Sequence, residues 1–302
     1  MRIGILCYPT FGGSGIVATE LGKSLAEKGH EVHFISYNQP VRLEFFSNRL
    51  FYHEVNVPDY PLFEYKPYEL ALTSKLVDVI KYEKLDILHV HYAIPHAYAA
   101  FMAKQILADE NISVPVVTPL HGTDITLVGR NPNYKPAVTF SINQSDVVTS
   151  VSESLKQDTY DFFAVNRPIE VIPNFIDFEF YGIPEEDANL KQNFAPQGER
   201  ILCHVSNFRP VKRVQDVIRI FAQVKEQIPS KLLMIGDGPD RESATALARE
   251  LGVCQDVFFL GKSKSVEKLL AISDLFVLPS ETESFGLAAL EAMAARVPVV
   301  SS

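Results

Sequence analysis

Positive charge and cysteine are both sparse in this chain, and several kinds of segment are missing from it. Its 28 lysines and arginines are outnumbered by 37 aspartates and glutamates, a formal net charge of −9. That balance argues against a surface given over to nucleic acid or to an anionic membrane. An anionic substrate then requires cations gathered in one place. The three cysteines, Cys7, Cys203 and Cys254, lie far apart with no CxxC spacing, which leaves them as free thiols suited to a reducing compartment. No run approaches the ~20 apolar residues that span a bilayer. Arg2-Ile3-Gly4-Ile5-Leu6 opens the chain without a charged segment followed by a long apolar one, so no secretory signal and a soluble, cytoplasmic protein are expected. No GxxxxGK[ST] occurs: Gly22-Lys23-Ser24 and Gly261-Lys262-Ser263 both lack the upstream glycine, which excludes a P-loop nucleotidase.

What is present is the grammar of an α/β protein. The 302 residues are 47% hydrophobic and 22% charged, enough for about two cored domains. Short β-rich runs alternate with helical stretches, the pattern of parallel sheets covered by helices. Strands are expected at 2–7, 31–36, 87–90, 114–120, 146–150 and 169–172. A helix is expected over 16–28, with Gly29 just past its end, and Ser152 is placed to cap another running to residue 163. Residues 178–198 are acidic and polar and read as a connection. The alternation then restarts, with strands at 200–205, 231–235, 257–260, 275–278 and 297–300. Helices fall near 214–228, 240–251, 266–272 and 285–295. Two doubly wound domains follow, 1–172 and 173–302, with a cleft between them and ligands at the carboxyl ends of the strands. The chain stops at Ser302 directly after an apolar strand, so a further C-terminal portion is expected to be missing.

Gly12-Gly13-Ser14-Gly15 follows the first strand and opens the first helix, where bare N–H groups and the positive helix end suit an anion. The spacing Gly13-x-Gly15-x-x-Ala18 also mimics a dinucleotide fingerprint. The place for a ribose-binding acid after the second strand instead reads Ser36-Tyr37-Asn38. His89 and His91 share a strand face and His96 is near, yet no carboxylate or cysteine completes a ligand set, so no metal is expected. His121-Gly122-Thr123-Asp124 ends a strand where a histidine can touch substrate. In the second half, Asn207-Phe208-Arg209-Pro210-Val211-Lys212-Arg213 gathers cations at the corresponding place, and a diphosphate is what such cations suit. Gly236-Asp237-Gly238-Pro239 reads as a turn after a strand.

The strongest motif runs from Ser280 through Glu283-Ser284-Phe285-Gly286-Leu287 to Glu291. Glu283 falls before a helix whose free N–H groups, over Ser284–Leu287, suit phosphate oxygens. Glu291 lies two turns in, near the same side, where a carboxylate accepts from vicinal hydroxyls. A paired acid/base hydrolase is the competing reading, disfavoured because such carboxylates do not normally frame a phosphate-binding helix end.

With seven residues between Glu283 and Glu291, the Ser284-Phe285-Gly286 run, the GDGP turn and the GGSG loop, the chain resembles the family-four retaining glycosyltransferases of the GT-B fold along essentially its whole length. Within that family, Cys7-Tyr8-Pro9-Thr10, the run from His89 to His96, His121-Gly122-Thr123-Asp124-Ile125-Thr126 and Asn207-Phe208-Arg209-x-Val211-Lys212-Arg213 resemble the branch that begins bacillithiol biosynthesis. The resemblance implies transfer of N-acetylglucosamine from UDP-N-acetylglucosamine to the hydroxyl of L-malate, with retention and without a metal or other cofactor. It further implies that Arg209 and Lys212 grip the diphosphate and that Gly15 donates its N–H to it, with Gly13 beside it among the donor-binding residues. Glu291 would hold the ribose, Glu283 and the backbone at Phe285–Leu287 the sugar and phosphates, and His121 a sugar hydroxyl. Gly261-Lys262 would read uracil. For malate the implied donors are Ser14, Tyr92, Thr123 and Asn207.

The chain departs from the family at Ala295-Arg296, where Cys-Gly is common, and in the family's final helices, whose lack would lower stability and activity. Other acceptors, a UDP-sugar 2-epimerase and a catalytically silent binding module stay open as alternatives. Neither nucleic acid nor membrane is an expected partner, and a homo-oligomer is left open.

Overall fold

Strand alternation sets the architecture. In β1 (Arg2–Leu6) and β2 (Glu31–Ser36), Ile3, Ile5, Val32 and Phe34 pack to one face, with Cys7 beyond β1. Leu6 and Ile35 pack to the other, as a period of two dictates for a sheet covered on both sides. The computed structural model describes residues 1–10, 12–43, 47–59, 61–181, 188–263 and 265–302. They form two units, Met1–Asn174 and Phe175–Ser302.

The first unit adds β3 (Leu50–Glu54), β4 (Ile87–Val90), β5 (Val116–Leu120), β6 (Val147–Ser150) and β7 (Ile169–Val171). The seven strands are parallel, in the order β3-β2-β1-β4-β5-β6-β7. Helix α1 (Gly13–Glu27) covers one face, while α2 (Tyr68–Glu83) and α3 (Tyr98–Ala108) pack Leu72, Leu76, Val79, Ala100 and Ala103 on the other. α4 (Lys135–Gln144) and α5 (Glu153–Phe162) complete the unit. Ser152 caps α5, its hydroxyl accepting from the Leu155 N–H at 3.2 Å.

The second unit opens with two short helices, α6 (Phe178–Tyr181) and α7 (Ala188–Phe194), where the sequence predicts only a connection; residues 182–187 lie outside the described set. Its strands are β8 (Arg200–Ser206), β9 (Ser230–Gly236), β10 (Val257–Gly261), β11 (Leu275–Leu278) and β12 (Val299–Ser301), parallel and ordered β10-β9-β8-β11-β12. Ile201, Cys203, Leu233, Ile235 and Phe276 face α10 (Val266–Ala271) and α11 (Leu287–Ala294). Leu202, Leu232, Met234 and Val277 face α8 (Val214–Lys225) and α9 (Arg241–Glu250). Val214, Val217, Ile218 and Phe221 of α8 recur at helical spacing on that buried face.

Both sheets reverse strand order once, between β1 and β4 and between β8 and β11. Crevices that hold ligands form at such switch points, outside the carboxyl ends of the strands. Several element ends fall one to three residues from expectation, one strand is additional and one helix starts late. β3 was not foreseen, because it is an edge strand with only Leu50 buried and so carries little apolar alternation. α11 begins at Leu287 rather than residue 285, because Gly286 adopts a left-handed φ of 82°. No helix among the described residues is long and apolar enough to cross a membrane.

Candidate active site

In the second unit, the loops after β8 and β11 meet at the switch point. The Glu281 N–H donates to the Val211 carbonyl at 2.9 Å. Lys212, in a single 3-10 turn at Pro210–Lys212, sets its Nζ 2.6 Å from Glu283 Oε1. Both side chains are mostly covered, at 20% and 26% exposure, so the pair is held in place rather than left to solvent. Asn207 and Arg209 on the same loop are exposed, leaving their polar groups available to a ligand.

The loop has a dedicated support beneath it. His204 of β8 is wholly buried, and its Nδ1 lies 2.8 Å from the Val277 carbonyl. A carbonyl only accepts, so Nδ1 carries the proton and Nε2 is left to accept from the Ser206 hydroxyl at 2.8 Å. The Phe208 N–H in turn donates to that hydroxyl oxygen at 3.3 Å. Burial holds His204 neutral by lowering its pKa to about 4. The GDGP turn closes on the same loop: a Cβ on Gly236 would sit 1.8 Å from the Ser206 carbonyl, and one on Gly238 2.0 Å from that of Asn207. These glycines let the end of β9 press against the backbone that carries Arg209.

Glu291 lies in the second turn of α11, 6% exposed, and accepts a hydrogen bond from the Tyr181 hydroxyl at 2.5 Å. Nothing in the sequence pointed to Tyr181, which is 110 residues away. Ser284 and Phe285 precede α11, so the first-turn amides of the helix belong to Leu287 and Ala288. Those of Ala289 and Leu290 are committed to the Gly286 carbonyl. Gly261 ends β10 with a left-handed φ of 67°, and Lys262 beside it is exposed.

In the first unit, the GGSG loop begins α1 at Gly13, and the Gly15 N–H is already used by the Gly12 carbonyl at 3.0 Å. The first-turn amides that precede any intrahelical bond are those of Gly13 and Ser14. The Ser14 hydroxyl donates to the Tyr92 hydroxyl at 3.0 Å, which joins the β1 loop to the β4 loop. Asp124, buried, joins the ends of β4 and β5. Its Oδ1 accepts from the N–H groups of His121 and Gly122, and its Oδ2 from that of Ala93. Desolvation raises the Asp124 carboxyl to about 6, against the pull of those donors. Thr123 sits beside it in the same turn. His89, His91 and His121 form a hydrogen-bonded row, with ring nitrogens 3.0 and 2.8 Å apart.

A different group gathers three potential metal ligands among the described residues: His33, His53 and Glu83. His33 Nδ1 and His53 Nε2 lie 3.0 Å apart in rings inclined by only 20°, with centroids 5.3 Å apart. That is the head-on geometry of an N–H···N hydrogen bond between the two rings. Cys7 and Cys203 are buried thiols, both pushed up to about 12 by desolvation, and Cys254 is exposed.

Residues 11–180 match the family profile described as Glycosyltransferase Family 4 and residues 185–302 that of Glycosyl transferases group 1. The chain belongs to these glycosyltransferases, and its two parallel-sheet domains are of their GT-B class. It is 48% identical over 303 residues to N-acetyl-alpha-D-glucosaminyl L-malate synthase of Bacillus anthracis, an alignment spanning 100% of this chain and 78% of that protein. Alpha-monoglucosyldiacylglycerol synthase of Streptococcus pneumoniae is 26% identical, over 100% of this chain and 71% of its own. Among solved structures, Anabaena HepE in complex with UDP-glucose superposes with a TM-score of 0.80 at 20% identity, covering 100% of this chain and 80% of that one.

Proposed function

We propose that this enzyme moves N-acetylglucosamine from UDP-N-acetylglucosamine to the hydroxyl of L-malate, with retained configuration and without a metal. The observation that carries the reading is the 48% identity, end to end along this chain, to a relative named for N-acetylglucosaminyl L-malate synthesis. The covered cation at the β8–β11 switch point supports it, because the pair with Glu283 fixes Lys212 beside the carboxyl end of β8 and a departing diphosphate needs positive charge.

In this reading Arg209 and Lys212 compensate the diphosphate, and the amides of Leu287 and Ala288 add to the positive end of α11. Glu283 answers donor sugar hydroxyls while holding Lys212, Glu291 the ribose, and Gly261-Lys262 the uracil. In the first unit, His121 meets a sugar hydroxyl. Ser14, Tyr92 and Thr123 serve the malate. As the bond from the anomeric carbon to the phosphate oxygen breaks, one to the malate oxygen forms on the same face. The malate hydroxyl proton passes to the departing β-phosphate, so no protein nucleophile is required. In the wider setting, the product would enter bacillithiol synthesis.

The test is release of UDP from UDP-N-acetylglucosamine with and without L-malate. Strong stimulation by malate is expected. Release without malate, yielding free sugar, would make the chain an epimerase or hydrolase. Stimulation by a different hydroxylated acceptor would overturn the malate assignment alone.

A further inference from the structure

Three imidazoles run in a row through the first unit, and only the last has a role in the reading above. His89 belongs to β4, His91 follows it, and His121 follows β5. His89 Nδ1 lies 3.0 Å from His91 Nε2, and His91 Nδ1 lies 2.8 Å from His121 Nε2. The rings of His91 and His121 are inclined by only 13° with centroids 4.9 Å apart, close to head-on. The backbone is pinned at the middle ring and at the last. His96 Nδ1, 2.6 Å from the His91 carbonyl, must donate to it, and Asp124 holds the His121 amide.

A hydrogen bond between two rings needs one proton and only one. Burial disfavours charge on all three rings, lowering His89 to about 4, His121 to about 3 and His91 well below its ordinary value. Each neutral ring brings one proton, so three protons serve two links and one end. If His89 Nδ1–H donates to His91, then His91 Nδ1–H donates to His121, and His121 carries its proton on Nδ1. If the row runs the other way, every ring is protonated on Nε2 and His121 Nδ1 is bare. Mixed arrangements set two protons, or none, in one link. The three histidines therefore share one tautomer and change it together.

We propose that His91 and His89 are positioning residues for His121, fixing its ring plane and tautomer through two N–H···N bonds, so that His121 Nδ1 meets a donor-sugar hydroxyl with a character set along the whole row. The inference rests on the assignment of His121 to that hydroxyl. A sugar hydroxyl both donates and accepts, so either state of the row supplies a complementary partner. The fixed plane removes the reorganisation a free imidazole would need. A row without charge also adds no cation beside the positive charge that develops at the anomeric carbon. The other titratable groups around it are Asp124, with its carboxylate on three backbone amides, His96, and Tyr92, whose ring centroid is 5.5 Å from that of His121.

The experiment is 15N spectroscopy of the whole chain labelled at histidine, where two-bond couplings separate Nδ1–H from Nε2–H. His89, His91 and His121 are expected in one common tautomer, neutral at pH 6. Added UDP-N-acetylglucosamine should leave that state unchanged or convert all three rings together. Unlike tautomers within the row, or a charged His91, would overturn the proposal without any variant. His91→Phe keeps a ring of similar size and cuts both links. His121 should then show mixed tautomers and titrate nearer the ordinary range. Turnover should fall about tenfold, with the donor KM changed less, and the rate should gain an acid limb near pH 6. If His91→Phe loses its circular dichroism signal, His89→Phe cuts the outer link and should still loosen the tautomer of His121. An unmoved His121 spectrum in a folded variant would refute the coupling. Absence of malate-stimulated UDP release would sink the assigned function and leave the tautomer result to stand or fall separately.

Discussion

Replacing Lys212 by methionine removes a charge while keeping the aliphatic stem, and the structure gives the size of two separate effects. The Lys212–Glu283 contact is 2.6 Å between side chains 20% and 26% exposed. Solvent-exposed pairs contribute about 0.2–1 kcal/mol, while breaking a fully buried pair costs about 3–5 kcal/mol. A pair this well covered falls between, so Lys212→Met should cost about 1–2 kcal/mol, or a fall in Tm of about 3–6 °C. A domain with about 5–15 kcal/mol in hand remains folded after that loss. Turnover should suffer far more, because removing a group that stabilises charge in the transition state typically costs about 100–1,000-fold. Thermal melts and malate-stimulated UDP release separate the two effects. Adding Glu283→Gln to Lys212→Met removes the stranded carboxylate, so Tm should recover in the double variant while turnover stays low. Turnover of Lys212→Met within about threefold of the parent would remove Lys212 from the chemistry. A Tm fall beyond about 10 °C would make its role chiefly structural.

Acid should destabilise the fold well before the carboxylates titrate. His89, His96, His121 and His204 have folded pKa values of about 4, 4, 3 and 4, below the ~6.5 of an unfolded histidine. The unfolded state therefore binds more protons below pH 6.5, and stability falls as pH drops from there toward 4, by at most about 1.4 kcal/mol per histidine per unit. Asp124, raised to about 6, acts oppositely over the same window but is one group against four. Melts that are flat between pH 7 and pH 5 would contradict this. Gly236→Ala should cost more than about 2 kcal/mol, since its Cβ would sit 1.8 Å from the Ser206 carbonyl at a φ of 124°. Gly198→Ala, also at positive φ but in open space, should cost only about 1 kcal/mol; equal shifts in Tm would refute the packing argument. Tyr181→Phe should destabilise by about 1.5–3 kcal/mol by stripping a charge-assisted bond from buried Glu291, and an unchanged Tm would show that the bond contributes little. Chelation with EDTA should leave the transfer rate unaltered, and a rate restored only by an added divalent cation would overturn the metal-free mechanism.

The reach of sequence reasoning differs between kinds of residue in this chain. Strands such as β1 and β2 bury apolar residues on both faces, Ile3, Ile5, Val32 and Phe34 on one and Leu6 and Ile35 on the other, so together with the helical stretches between them a doubly wound α/β fold was legible. β3 was not, because an edge strand with one buried residue carries no such alternation. The same division runs through the site. Arg209, Lys212 and Glu283 stand out because charge clustered at the end of a strand is conspicuous, and the fold brings the last two to 2.6 Å. Their support is written differently. His204 and Ser206 carry the β8 loop, and Tyr181 reaches Glu291, through single contacts between distant positions. A lone tyrosine or a histidine inside an apolar strand reads as ordinary core until its partner is seen. His91 is the clearest instance. Beside His89 it reads as two ligands short of a metal site, and its function depends on His121, 30 residues later and one strand over. Local pattern thus marks the groups offered to a ligand, and topology decides which buried groups hold them in place. That is why the reversal of strand order, between β1 and β4 in one unit and between β8 and β11 in the other, is more informative about each unit's candidate residues than any single motif.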